Sequence, residues 1–494
     1  MGIYLNPGNI DFQQALNSKI YVDKSMLIDY SNSVIYTEQK FICVSRPRRF
    51  GKSMAANMLT AYYSRGCDSK EMFRNLKISK AGTFKKHLNK YNVIHINMLN
   101  FLSESQNMDE MIEFIEEDLI DELKNEYPDI RYPKRQNLIK IIAAIFLQAN
   151  IPFIFIIDEW DCVFRVHKNN PDSQTKYLNF LRNLLKDQSY VALAYMTGIL
   201  PIKKYGEHSA INAFYEYSMI DAEPISEFTG FTEEEVKLLC KKYDKPFEEM
   251  KRWYDGYNLN GISIYNPKSV VESILRGQFN NYWTSTETYE ALKVYIEMNF
   301  DGLKDTIIEL LAGQKAVIDT TTFSNDMVTF ETKDDVLTLL VHLGYLTYDF
   351  YTKEVSIPNY EISEQFASTI KVMGWSEVAN SLKLSDELLK STLNGNEEKV
   401  AELIDKAHSD NTSILKYNDE NSLSCVISLA YYSARKTYTI ERELPAGKGY
   451  ADLVFQPRKN NSNPAIIVEL KYGKSAESAI EQIKKKQYAD CLKN

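Results

Sequence analysis

Gly51-Lys52-Ser53 follows a short apolar run, Phe41-Ile-Cys-Val-Ser45, and a basic loop, Arg46-Pro-Arg-Arg-Phe50. A helix-like run to Ser64 comes next. Strand, loop and helix N-terminus together can hold an anion on backbone N–H groups, with Gly51 letting the backbone approach. In that setting Lys52 reaches the β- and γ-phosphates of a nucleoside triphosphate, and the Ser53 hydroxyl ligates Mg²⁺. The general pattern G-x-x-x-x-G-K-[ST] has glycine where this chain has Arg46. A plain strand–turn–helix with a basic loop is the competing reading.

A second group lies 106 positions beyond Lys52. Ile151-Pro-Phe-Ile-Phe-Ile-Ile157 runs into Asp158-Glu159. An unbroken apolar run of this length fits a strand buried on both faces of a parallel sheet. Asp158 at its end suits the Mg²⁺ shell, and Glu159 suits polarising an attacking water. A strand ending in solvated acids is the bland alternative. Val191-Ala-Leu-Ala-Tyr-Met196 ends at Thr197-Gly198, so Thr197 is expected near the γ-phosphate or, equally, as an ordinary strand end.

A third group closes the chain. Tyr438–Glu443 reads as a strand, Pro445–Gly449 as a turn, Tyr450–Phe455 as a second strand and Ala465–Lys471 as a third. Glu469 and Lys471 are two apart and share a sheet face, which Asp452 can reach from the neighbouring strand. Asp452, Glu469 and the Leu470 carbonyl make an oxygen set suited to Mg²⁺, with Lys471 placed to orient or deprotonate water at a phosphodiester. An exposed cross-strand pair is the alternative. The run Ile466–Val468 argues for a central strand, where charges need a reason.

The elements that must position these groups come in two textures. From 41 to about 222, apolar strands alternate with helical patterns at 53–64, 109–127, 135–148 and 173–187, which reads as an α/β sheet. From 226 helices dominate. Thr232 caps the first with Glu235 completing a capping box, and Trp253-Tyr-Asp-Gly-Tyr-Asn258 forms an aromatic turn. Short strands are expected near Val328–Phe330 and Tyr345–Tyr351; around 333–357 a winged-helix-like piece is one reading, and a helix plus hairpin that packs the domain is the preferred one over DNA reading. Asn394–Asn396 and Asp410–Asn421 read as loops or linkers.

The chain has 494 residues, 44% hydrophobic and 25% charged, which suits a globular protein of several domains. A net charge of −9 excludes a surface that attracts nucleic acid everywhere, so any such site is a local basic patch. Six scattered cysteines without a C-x-x-C argue against a disulfide framework or a zinc site. The N-terminus lacks a signal-peptide pattern, and the apolar stretch Ile141–Ile157 is broken by Gln148, Asn150 and Pro152. A cytoplasmic protein with no membrane partner is expected.

Together these residues resemble a prokaryotic family that joins an AAA-ATPase-like domain to a C-terminal PD-(D/E)XK nuclease-superfamily domain. The likeness rests on Tyr21-Val-Asp-Lys24, Ser45-Arg-Pro-Arg-Arg-Phe-Gly-Lys-Ser53, Ile157-Asp-Glu-Trp-Asp161, Trp253-Tyr-Asp-Gly-Tyr257, Ala446-Gly-Lys-Gly-Tyr-Ala-Asp452 and Val468-Glu-Leu-Lys471. It covers nearly the whole chain and implies that Arg46 belongs to the family pattern. It also implies the fold class: an α/β protein with a P-loop NTPase-type parallel sheet over 1–225, a mainly helical lid over 226–400, and a restriction-endonuclease-like α/β domain over 401–494. ATP and Mg²⁺ are the implied cofactors. Arg46, Arg49, Gly51, Lys52, Ser53, Asp158 and Thr197 make the nucleotide set, with Glu159 catalytic. Asp452, Glu469 and Lys471 make the nuclease set. Gln482 or Tyr488 of the following segment lines it, and Glu420 of the preceding helix joins its metal shell. Ala451 stands where the nominal pattern has proline. The chain stops soon after the Gln482 helix, where family members continue, so a shortened nuclease domain is expected.

Two function classes follow. One is an ATP-binding and ATP-hydrolysing protein coupled to a Mg²⁺-dependent nuclease acting on DNA or RNA. The other is a nucleotide-gated interaction protein with an inactive terminal domain. A DNA-binding regulator built on 226–400 ranks below both, since its basic residues do not gather on one helix. Arg48 and Arg49 contact phosphates, act across a subunit interface in an oligomer, or pair with local acids.

Overall fold

In a computed structural model of the chain, the described residues are 2–202, 211–283, 289–298, 300–325, 327–373, 375–411, 420–446, 448–459, 461–471 and 475–492. They form two compact units, one of residues 1–286 with 317–361 and one of 287–316 with 362–494.

The first unit is organised by a five-stranded sheet. Its strands are β1 (Phe41–Ser45), β2 (Asn92–Asn97), β3 (Phe153–Asp158), β4 (Val191–Gly198) and β5 (Tyr215–Tyr217). The order across the sheet is β2-β3-β4-β1-β5, with every neighbour parallel. Every residue of β1, β3 and β4 is buried. This explains their unbroken apolar runs: with helices on both faces there is no solvent side on which to alternate polar residues. β4 lies between β1 and β3, so the ends of those three strands form one row, with Val44 opposite Thr197 and Ile157 opposite Met196.

The helix after the basic loop spans Lys52–Tyr63 and begins at Gly51, whose φ of 86° lies in the left-handed region that glycine enters without steric cost. Helices Met108–Glu126, Leu138–Ala149 and Pro171–Leu185 occupy the expected stretches. Asparagine side chains at 107, 137 and 170 cap their first turns.

The remainder of this unit carries a small antiparallel sheet, with Ile262–Tyr265 paired to both Phe231–Thr232 and Tyr257–Leu259. Thr232 and Glu235 make the reciprocal capping box. The Trp253–Tyr257 turn needs its glycine, because Gly256 has φ +103° and a Cβ there would lie 1.9 Å from the Pro358 carbonyl oxygen. Helix Lys333–Leu343 is followed by the hairpin Thr347–Asp349 with Glu354–Ser356. No strand forms at Val328–Phe330, contrary to the expectation from its β-branched and aromatic residues; tertiary context overrides so short a propensity signal.

The second unit holds helices Ser376–Leu393, Glu397–Asn411 and Glu420–Ala430, then an antiparallel sheet of Tyr438–Ala446, Gly449–Pro457 and Ile466–Val468. The expected loop over 410–421 is thus partly helical at each end, and its interior lies outside the described residues. Ile466–Val468 was expected to be central. Among the described residues it is an edge strand, paired only with Gly449–Pro457. Its apolar run has another cause: Ile467, like Ile483 of helix Ala476–Lys486, packs against a small core that includes Val454 and Tyr488. Among the described residues no helix is long and apolar enough to cross a membrane.

Candidate functional site

The row of strand ends gathers the first two groups. Lys52 is buried, and its Nζ donates to the carbonyls of Arg46 at 3.0 Å and Pro47 at 2.9 Å. Burial lowers its pKa, while Glu159, Asp161 and Asp158 act in the opposite direction. Asp158 is buried at the end of β3 and accepts from the Thr197 hydroxyl and from the Glu159 N–H at 3.0 Å. Thr197 therefore orients Asp158 across the β3–β4 step. Ser53 is exposed in the first turn of the helix.

Glu159 has a φ of +55°, which turns the chain sharply at the strand end. Its carboxylate is paired with Arg165. Arg165 Nε also donates to Asp161 at 3.1 Å, and Asp161 accepts the N–H groups of Ile199 at 3.1 Å and Leu200 at 2.9 Å. Asp161 and Arg165 thus brace the turn after β3 against the segment after β4. Gly198 lets Trp160 close on this point, as a Cβ there would meet the indole at 2.7 Å. Sequence reasoning missed Arg165; its place four residues after Asp161 on a short helix was the available signal.

Arg46 differs from its expected role. Its side chain is fully buried and turns away from the loop, donating to the carbonyls of Ser45 at 2.9 Å and Tyr217 at 2.8 Å and to the Thr229 hydroxyl at 3.0 Å. Its N–H is spent on the Gly198 carbonyl at 3.0 Å. Arg46 is a strut of the loop. The left-handed positions of the loop are Arg49, at φ 70°, and Gly51, so position 46 does not require glycine.

Arg49 and Gly51 border a cavity of about 440 Å³ between the N-terminal segment, helix Lys52–Tyr63 and helix Pro267–Arg276. Val22, Met54, Met58, Phe231, Val271 and Leu275 line it. These residues are scattered over the sequence, and no local motif marked them.

In the second unit the third group is assembled. The Leu470 N–H donates to Asp452 Oδ2 at 2.6 Å. Glu469 Oε1 accepts from Lys471 Nζ at 2.6 Å and from the Gln482 amide, which also donates to the Tyr488 hydroxyl at 3.1 Å. Glu469 Oε2 is buried with no hydrogen-bond partner among the described residues. Burial and Asp452 raise the Glu469 pKa, and Lys471 and Gln482 oppose that shift. An orphaned carboxylate oxygen beside a second carboxylate fits a divalent cation, which would satisfy the free oxygen and relieve the repulsion. Among the described residues no three His, Cys, Asp or Glu side chains converge as a metal cluster. The Glu420 side chain lies outside the described residues.

Residues 8–206 match the family described as a predicted AAA-ATPase, and residues 418–494 match the PD-(D/E)XK nuclease superfamily. A curated protein of Azotobacter chroococcum mcd 1, described as an uncharacterized protein in the vnfD 5' region, is 24% identical over 261 residues, covering 50% of this chain and 47% of its own. The chain thus spans about half the length of that relative. Among solved structures, the Aeropyrum pernix ORC2 protein, in ADPNP–ADP complexes, aligns at 11% identity over 70% of this chain and 93% of its own, with a TM-score of 0.26. PCH-2 of C. elegans aligns at 11% identity over 68% and 71%, with a TM-score of 0.24. Both likenesses are too distant to define a shared fold.

Proposed function

We propose that this chain, which joins an AAA-ATPase-like domain to a PD-(D/E)XK nuclease-superfamily domain, binds and hydrolyses ATP and couples that cycle to Mg²⁺-dependent cleavage of a nucleic acid. One observation carries the nucleotide half: Lys52, Asp158, Glu159 and Thr197 stand together on adjacent strand ends and the helix N-terminus, beside a largely apolar cavity. In this reading the domains run 1–225, 226–400 and 401–494.

The phosphates lie on the loop ending at Gly51, with Lys52 leaving the loop carbonyls to meet them. The base enters the apolar cavity, and Arg49 stands between base and phosphates. Ser53 and Asp158 hold Mg²⁺, which screens phosphate charge when bound. Glu159 takes the proton of the attacking water, and Thr197 keeps Asp158 oriented. In the second unit Asp452 and Glu469 would hold a divalent cation, Lys471 orients or deprotonates the water that attacks the phosphodiester, and Gln482 fixes the Glu469 carboxylate.

A nucleotide-gated regulator is the second reading. It is favoured by the Glu159–Arg165 pair, which occupies the hydrolytic carboxylate. The test is Mg²⁺-dependent cleavage of single- and double-stranded DNA and RNA, with and without ATP, by wild type, Lys52→Ala and Lys471→Ala. Cleavage lost in Lys471→Ala and dependent on ATP through Lys52 supports coupling. A folded wild type that binds ATP and cleaves nothing supports the regulator.

A further inference from the structure

Glu361 is 1% exposed and sits in the first turn of helix Tyr360–Met373. Its carboxylate accepts the Tyr282 N–H at 2.6 Å, the Trp283 N–H at 2.8 Å and the Ser269 hydroxyl at 2.8 Å. Burying a carboxyl is costly, and here backbone and hydroxyl donors offset part of that cost.

Both ends of this cluster reach the nucleotide site. Ser269 lies in the first turn of helix Pro267–Arg276, where the Asn266 cap fixes its N–H, and that helix supplies Val271 and Leu275 to the cavity. Trp283 is 1% exposed, and its indole N–H donates to the Arg48 carbonyl at 3.1 Å, inside the phosphate loop. Further contacts fix the same loop. The Gly230 N–H donates to the Phe50 carbonyl at 2.9 Å, and the Phe50 ring meets Tyr257 edge-on at 5.1 Å. A Cβ on Gly344 would lie 2.8 Å from the Pro47 ring, so the two already touch.

We propose that Glu361 and Trp283 are positioning residues for the nucleotide: one buried carboxylate holds the helix that walls the base cavity and the indole that holds the phosphate loop. This rests on the ATP-binding reading above. It assigns this segment a task beyond packing, since one side chain ties the cavity-wall helix at Ser269 to the backbone of Trp283, whose indole meets the Arg48 carbonyl. A glutamine at 361 preserves the arrangement, because its oxygen accepts both backbone N–H groups and its amide nitrogen faces the Ser269 hydroxyl.

The test is titration of the full chain with a fluorescent, slowly hydrolysed ATP analogue and Mg²⁺, followed by anisotropy, with thermal melting of each variant alongside. Trp283→Phe keeps the packed ring and removes one hydrogen bond to the loop. It is expected to weaken binding about tenfold and to raise KM for ATP more than it lowers kcat. Glu361→Ala is expected to weaken binding at least as much, and Glu361→Gln to restore it to within about twofold. If Glu361→Ala does not fold, Trp283→Phe decides. Folded Trp283→Phe that binds like wild type overturns the proposal while leaving the ATP reading intact. A wild type that does not bind the analogue overturns the ATP reading, and this one with it.

Discussion

Lys52 Nζ lies 2.9 Å from the Pro47 carbonyl oxygen, so the ammonium is held by a backbone carbonyl of the basic loop that precedes its helix. That contact and its twin to Arg46 keep a buried cation satisfied. In the proposed ATP-binding function a phosphate would exchange for these carbonyls, so Lys52 would trade partners on binding.

Lys52→Ala removes this exchange. We expect ATP-analogue affinity to fall by about a hundredfold, in keeping with loss of a charge-assisted hydrogen bond in a buried site. Anisotropy titration checks it, and unchanged affinity would remove Lys52 from the nucleotide site.

Arg165 bridges Glu159 and Asp161 in a nearly buried pair. Arg165→Ala leaves Asp161, itself fully buried, without its cation. Removing one partner of such a pair costs about 3 kcal/mol. Chemical denaturation should register a loss of that order. A variant as stable as wild type would show that the Ile199 and Leu200 N–H groups alone suffice for Asp161.

Glu361 gives the first unit a pH signature. Burial raises its pKa from 4.5 to about 7 in the folded chain, against the lowering effect of its three donors. Between these values the native state keeps a proton that the unfolded chain releases. Stability from this group is therefore greatest below pH 4.5 and is lost as pH rises through about 7. The shift corresponds to about 3 kcal/mol. Denaturation of wild type and Glu361→Gln at pH 5 and pH 8 isolates it: the wild type should lose more stability than the variant between the two. Equal losses would contradict a raised pKa.

Glu469 is predicted to serve cleavage and not nucleotide binding. Glu469→Gln and Lys471→Ala should lower Mg²⁺-dependent cleavage at least about a hundredfold, the range for loss of a group acting on the reacting phosphate. ATP-analogue affinity should stay unchanged. A parallel loss of nucleotide affinity would contradict two separate sites.

The legible parts of this chain were those whose physics is local. Unbroken apolar runs marked β1, β3 and β4 because strands buried on both faces cannot alternate. Thr232 and Glu235 announced their helix because a capping box closes within four residues. Glu469 and Lys471 do pair, but the strand expected to run to Lys471 ends at Val468, so the period-two argument that joined them does not hold in the structure. Edge position was not legible at Ile466–Val468: a helix can cover one face of an edge strand and leave the same apolar run as a central one. Arg46 was misread for a related reason. Its place in the motif suggested phosphate, while its inward turn to Tyr217 and Thr229 depends on chain more than a hundred residues away.

The sequence by itself determined the residue patterns from which both proposed chemistries are read, since Gly51-Lys52-Ser53, Asp158-Glu159 and Asp452 with Glu469 and Lys471 are recognised by residue type and spacing. Only the tertiary structure decided how they are held: that β4 sets Thr197 against Asp158, that Arg165 claims Glu159, and that Trp283, whose N–H donates to Glu361, donates its indole N–H to the Arg48 carbonyl. Those partners are joined by burial and hydrogen bonds between distant segments. Such contacts depend on where folding places each backbone donor, which no local pattern of residues encodes.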